Sequence, residues 1–323
     1  LVIPDFFQHD LDARKAHRAP TITPSRLLRL FFSTMAVSTT SAGGSLTKVA
    51  QALLGVSEPN PRYFGNEPNP RGDPAWTNGN WLKSRFHFSF AEYSNPANTN
   101  FGVLRVMNDD LVQPKRGFGR HPHRDAEICT YVIEGELTHQ DSMGTSETLG
   151  AGSIQFMTAG RGVSHSEHNL SAKPLRFIQM WLTPRQRGLP PNYGSSRGNE
   201  ALRSNNWHHM VSDVQNTKVK TDVKINTDAN MYAAEIEDGN VLNLIVDAGR
   251  QAYVLCIDGS SNFTRKQVSG DNEVCTDADI SLQRHDASEI VGPMEVQVTG
   301  PSHLLVVEMA YDTRSHGRTD NRE

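Results

Sequence analysis

Two short motifs, His121-Pro122-His123 and His165-Ser166-Glu167, close the ends of one segment running from Gly117 to Asn169. No other feature restricts the fold as much. Each motif spaces its polar side chains i, i+2, and in a β-strand residues two apart share a face. With both motifs on strands, three imidazoles and one carboxylate are aimed into one space. The sequence between them is short-period and rich in β-branched residues. Gly150-Ala151-Gly152 and Ala159-Gly160-Arg161-Gly162 are turn signals that would return the second motif beside the first. A small antiparallel barrel fits this pattern. Its donor set suits a first-row transition ion, iron or manganese ahead of zinc.

An isolated HxH means little. With 13 histidines in 323 residues, chance alone supplies about half an HxH per chain. The combination of motifs, strands and turns within one barrel-sized segment carries the reading. The plainer alternative for His121, His123, His165 and Glu167 is a polar edge or a set of hydrogen-bonded core histidines. Buried polar groups need a common partner, and a metal supplies it.

The segments HPHRDAE, TYVIEGELTHQDSMG and FMTAGRGVSHSEHN, followed by the Trp-bearing LRFIQMWLTP, resemble in order the pirin family of the cupin superfamily. The resemblance is close from Trp81 to Pro191, looser through the C-terminal half, and absent from residues 1–75. It implies an all-β bicupin, two tandem jelly-roll barrels, with Fe(II) in the first barrel. The implied ligands are His121, His123, His165 and Glu167; Mn, Ni, Cu or Zn would suit the same donors. Cupins in general take a carboxylate ligand soon after HxH, where Glu127 stands. In pirins the later Glu serves, so Glu127 is expected beside the site or at the surface. The activity implied is flavonol cleavage of the quercetin 2,3-dioxygenase type. Family members are also described as iron-dependent nuclear regulators that bind transcription factors, which leaves a redox-sensing partner protein as the alternative. As the single anionic ligand, Glu167 is the expected catalytic base.

An internal repeat agrees with two barrels. TYVIEGELT (130–138) parallels AYVLCIDGSSN (252–262), and LRFIQMWL (175–182) parallels HLLVVEMA (303–310). The second copy carries neither motif and is expected to hold no metal. The expected domains are a metal-binding barrel over 76–200, a second barrel over 201–315 and a charged tail over 316–323. Residues 1–75 read as an extension and linker. Within it, Leu46 to Val56 shows helical spacing ended by Gly55, and the Pro- and Asn-rich stretch from Ser57 reads as a linker or wrapping arm. The chain opens on Leu1, and two readings of residues 1–34 stand: a basic, Ser/Thr-rich organelle transit peptide, or sequence upstream of a start at Met35.

Of the remaining candidates, His168 has the wrong parity for a ligand, His139 reads as a turn residue, and His208-His209 as surface. Cys129 is expected as a buried apolar cysteine on the HxH strand, and Phe118, Met180 and Trp181 as cavity wall or core. The net charge of −4 offers no broad surface for nucleic acid. Three scattered cysteines fit a reducing compartment, cytoplasmic or nuclear. No apolar run is long enough to span a membrane. The partners expected are a small aromatic substrate and, on the regulator reading, proteins; the chain is expected to act as a monomer.

Overall fold

The computed structural model describes residues 44–68, 80–266 and 279–312. In chain order, β1 (Ser45–Val49) and β2 (Gly55–Ser57) precede β3 (Leu82–Phe86) and β4 (Leu104–Val112). The segment holding both motifs forms β5 (Arg116–His123), β6 (Glu127–Glu134), β7 (Glu136–Asp141), β8 (Ser146–Gly150), β9 (Ile154–Thr158) and β10 (Val163–Asn169). β11 (Leu175–Leu182) and β12 (Asn192–Ser196) complete the first half, and one helical turn, Glu200–Arg203, follows. The second half contains β13 (His208–Asp213), β14 (Val223–Ile225), β15 (Ala229–Ile236), β16 (Val241–Val246) and the long β17 (Arg250–Arg265). It closes with β18 (Ile280–Gln283), β19 (Ala287–Val291), β20 (Met294–Thr299) and β21 (Ser302–Ala310).

Each half is a two-sheet barrel. In the first, the sheet β12-β9-β6-β11-β4-β3-β2 faces the sheet β5-β10-β7-β8. In the second, β1-β19-β17-β21-β15-β13-β14 faces a sheet in which β20 joins β16 to the far end of β17, which also carries β18. The orders correspond strand for strand, so β6 matches the start of β17 and β11 matches β21, as the repeat predicts. At the places of β5 and β10 the second barrel has β16 and β20, whose Leu244, Val246, Met294, Val296 and Val298 fill an apolar interior.

The two large sheets pack back to back. Alternate residues of β11 and β4 (Ile178, Met180, Leu182, Leu104 and Met107) meet Tyr253, Leu255, Leu305 and Val307 of the second barrel in one buried cluster. The intervening residues of the same strands face the first barrel's interior. A polar cluster crosses the seam. Arg176 donates two hydrogen bonds to Asp109 (2.9 and 2.7 Å), two to Asp258 and one to the Ile257 carbonyl, and His285 Nδ1 lies 2.8 Å from Asp109.

Residues 44–57 depart from the expected helix and linker. β1 pairs with β19 of the second barrel, while β2 pairs with β3 of the first. The spacing that mimics a helix comes from a 3-10 turn, Gln51–Leu53, inserted between two short strands. Neighbouring open sheet edges supply ladder hydrogen bonds that local propensity cannot anticipate. Residues 1–34, the charged tail 316–323 and Cys275 lie outside the described residues. No helix among the described residues is long and apolar enough to cross a membrane.

Candidate metal centre

β5 is the edge strand of its sheet, so Pro122 sits there without breaking an interior ladder. It pairs with β10 such that His121 stands opposite His165 and His123 opposite Val163. A register shift of one residue follows: Glu167 stands opposite Phe118, where a regular ladder would put Gly119. The extra residue lies on β5, at Gly119–Arg120, so the bulge bends β5 just before the HxH pair. Gly117 permits the close approach, since a Cβ there would lie 2.4 Å from the Glu167 carbonyl oxygen. In the turn before β10, Gly160 has φ +47° and a Cβ would strike the Leu189 carbonyl.

The result gathers His121, His123 and His165, whose donor atoms lie within 4.8 Å of one another. His139, His165 and Glu167 form a second such group sharing His165. His121 Nδ1 donates to the Gly119 carbonyl at 2.7 Å, which leaves its Nε2 lone pair facing inward. That Nε2 lies 3.1 Å from His165 Nε2. Two nitrogens bound at right angles about 2.1 Å from one ion would be about 3 Å apart, so the pair has the separation that shared ligation requires. Burial lowers the pKa of all three: His121 below its ordinary value, His165 well below it, and His123, with His121 adding repulsion, to about 3. They are therefore neutral near pH 7, with lone pairs available.

Glu167 is buried and held by three donors. Gln155 Nε2 (2.9 Å) and Thr130 Oγ1 (3.3 Å) donate to Oε1, and Gln179 Nε2 (2.7 Å) donates to Oε2. Burial raises its pKa, opposed by the charge of His139 and by these hydrogen bonds. Of the four residues expected as ligands, the three imidazoles form one group, and Glu167 joins His165 and His139 in the other.

Other expectations need correction. His139 is no turn residue: it is buried on β7, opposite Glu167, and stacks on Tyr193. Its Nε2 lies 3.1 Å from Asp141 and its Nδ1 3.5 Å from His165 Nδ1. Alternation of Leu137, His139 and Asp141 was the available signal. Glu127 is fully buried away from the triad, hydrogen-bonded by Thr158 and Asn226. Cys129 is buried as expected but on β6, in the core between the barrels, as is Met180 on β11. His168 is half-buried and joins neither donor group. His209 is half-buried rather than superficial and stacks on Tyr232.

A cavity of about 60 Å3 opens beside the triad. Its walls are largely aromatic, with Trp181, Phe90, Phe118 and Trp81 among them, and Trp181 meets the His123 ring edge-on at 4.7 Å. The Pro-rich arm covers the cavity. Phe64, in the left-handed region at φ 54°, lays its ring 5.5 Å from that of His121. Asn66 pins the arm to β5, donating to the Gly117 carbonyl and accepting from the Gly117 N–H. Asn108 and Asp110 of β4 also line the cavity. Asp110 accepts a hydrogen bond from Ser84, and its pKa is pushed up to about 8 by burial, assisted by repulsion from Asp109 and Glu167. Sequence reading found neither residue.

Comparison with known proteins agrees with this architecture. The Pirin family model matches residues 71–182, and that of the Quercetinase C-terminal cupin domain matches 214–309. A Quercetin 2,3-dioxygenase of Escherichia coli O157:H7 is 34% identical over 227 residues, covering 69% of this chain and 94% of that protein. A Pirin-like protein of Caulobacter vibrioides is 38% identical over 175 residues, 54% of this chain and 75% of its own. Among solved structures, bacterial pirin YhhW of Escherichia coli in complex with nickel(II) superposes with a TM-score of 0.64 at 26% identity, over 83% of this chain and all of that one.

Proposed function

The chain belongs to the pirin family, and on that premise we propose that it is an Fe(II)-dependent dioxygenase acting on flavonol-like enols or catechols, with His121, His123, His165 and Glu167 as ligands. One observation carries the reading: an aromatic-walled cavity opens directly onto neutral imidazoles and a buried carboxylate. On the same reading the metal sits in a first domain over 76–200, and a second over 201–315, with its apolar interior, holds none.

Bound there, the ion would supply Lewis acidity and a place for dioxygen next to a chelating oxygen. The remaining work falls to the protein. The Gly119 carbonyl fixes the His121 tautomer. Gln155, Gln179 and Thr130 orient Glu167, which takes the proton from the substrate's acidic hydroxyl. The ring of the substrate stacks among Phe118, Trp181 and Phe90, which exclude water. The closed cavity has room for a few waters, so a three-ring flavonol is admitted when the arm over Phe64 is displaced.

The test is to load the protein with Fe(II) anaerobically and follow oxygen uptake with and without a flavonol. Uptake matching flavonol consumption is the expected result. No uptake with any flavonol at a full iron complement would sink the enzyme reading and leave the redox-sensing regulator in its place.

A further inference from the structure

We infer that Asn108 and Asp110 form a second substrate-recognition site in the cavity, which takes a phenolic hydroxyl on the part of the ligand that does not chelate the metal. The inference rests on the dioxygenase reading for the ligand class, and adds to it the residues that select the ligand.

The sheet register places the pair. On the face of the large sheet that lines the cavity, β11 contributes Gln179 and Trp181, β4 contributes Asn108 and Asp110, and β3 contributes Ser84 and Phe86. Gln179, which holds Glu167, stands directly opposite Asn108, and Asn108 directly opposite Phe86. Adjacent strands are about 4.8 Å apart, so the pair lies about one strand spacing from Gln179, near the width of one aromatic ring. A flat ligand anchored at the triad and lying on this face reaches it.

Asn108 is 3% exposed, yet its side-chain oxygen has no hydrogen-bond partner among the described residues. A buried acceptor left unpaired costs free energy, and a ligand hydroxyl donating to it removes that cost. Asp110 beside it is also 3% exposed, with the Ser84 hydroxyl donating to its Oδ1. Asp110 faces the same cavity, and its carboxyl can share a hydrogen bond with the hydroxyl that donates to Asn108. A hydroxyl, both donor and acceptor, satisfies the two together. The aromatic surroundings, Phe86 and Trp181 above all, favour a hydroxyl carried on a ring.

The probes are kaempferol and 3-hydroxyflavone, which share the chelating enol–ketone end and differ in the hydroxyls on the outlying rings. Both are titrated anaerobically into the full-length Fe(II)-loaded protein, with binding followed by quenching of tryptophan fluorescence, since Trp81 and Trp181 line the cavity. Kaempferol is expected to bind about 10- to 100-fold more tightly, the scale of one or two good hydrogen bonds. Asn108→Leu removes the amide without orphaning any hydrogen-bond partner seen in the structure, and Asp110→Val combined with Ser84→Ala removes the carboxyl together with the hydroxyl that donates to it. In each, the ratio should fall toward one through weaker kaempferol binding, with 3-hydroxyflavone affinity and iron content unchanged. A ratio near one in the parent, or one that persists in both folded variants, overturns the inference. Discrimination without oxygen uptake would sink the dioxygenase and keep the site, whereas uptake without discrimination would do the reverse. If neither flavonol binds, both readings fall.

Discussion

Glu167 and the histidines differ in what their loss removes. His165→Ala takes away the residue common to both donor groups, and stoichiometric iron measured by elemental analysis should drop to near zero. His168→Ala, three residues along the same strand, should keep a full equivalent. Glu167→Gln retains an oxygen donor but replaces an acceptor-only group by one with its own N–H. At least one of the donors from Gln155, Gln179 and Thr130 then meets a donor, which should cost about 1–3 kcal/mol of stability in urea unfolding. At saturating iron, flavonol turnover should fall by about 10²–10⁴, the usual scale for losing a general base. Turnover equal to the parent's would reduce Glu167 to a ligand.

At the scale of elements, the arm and β5 set the shape of the site. The arm's hold on β5 runs largely through one buried side chain, Asn66, bonded to both polar groups of Gly117 and to the Tyr63 carbonyl. Asn66→Ala should therefore free the arm without touching a ligand. Stopped-flow quenching should show flavonol association several-fold faster, and limited proteolysis should cut within 58–68 sooner than in the parent. Unchanged association would mean that the ligand arrives by another route. The bulge in β5 was hidden from the sequence, because strict alternation already puts His121 and His123 on one face. Only pairing with β10 reveals the shift.

For the whole molecule, the seam between the barrels depends on Arg176. Burial pushes the Asp109 carboxyl up, but hydrogen bonds from Arg176 and His285 outweigh it and hold it below its ordinary 3.8. Arg176→Met would leave Asp109 buried without its cation, at a cost of about 3–5 kcal/mol that is readable as a lower urea midpoint at pH 7. The sign with pH follows from the depressed pKa. Asp109 contributes stability above about 4 that is lost as pH falls below it, because the unfolded chain binds the proton first. The gap between parent and variant should therefore narrow in acid. A constant gap would mean that Arg176 acts by packing alone.

What the sequence determined by itself is local and periodic. Two i, i+2 motifs, the glycine turns between them and a repeat of strand pattern were enough for the all-β bicupin fold and for the gathering of His121, His123 and His165. Those signals survive because side-chain direction in a strand has period two whatever the strand pairs with. Pairing itself is non-local. Nothing in LTKV announces an edge strand for the second barrel, nothing in THQD places His139 behind His165, and nothing in NDD tells the cavity face from the seam. Asn108 and Asp110 turn into the site while Asp109 turns to Arg176 because β4 lies between β11 and β3 in one sheet. That register is decided by burying both faces of the sheet at once, a condition only the folded chain can impose.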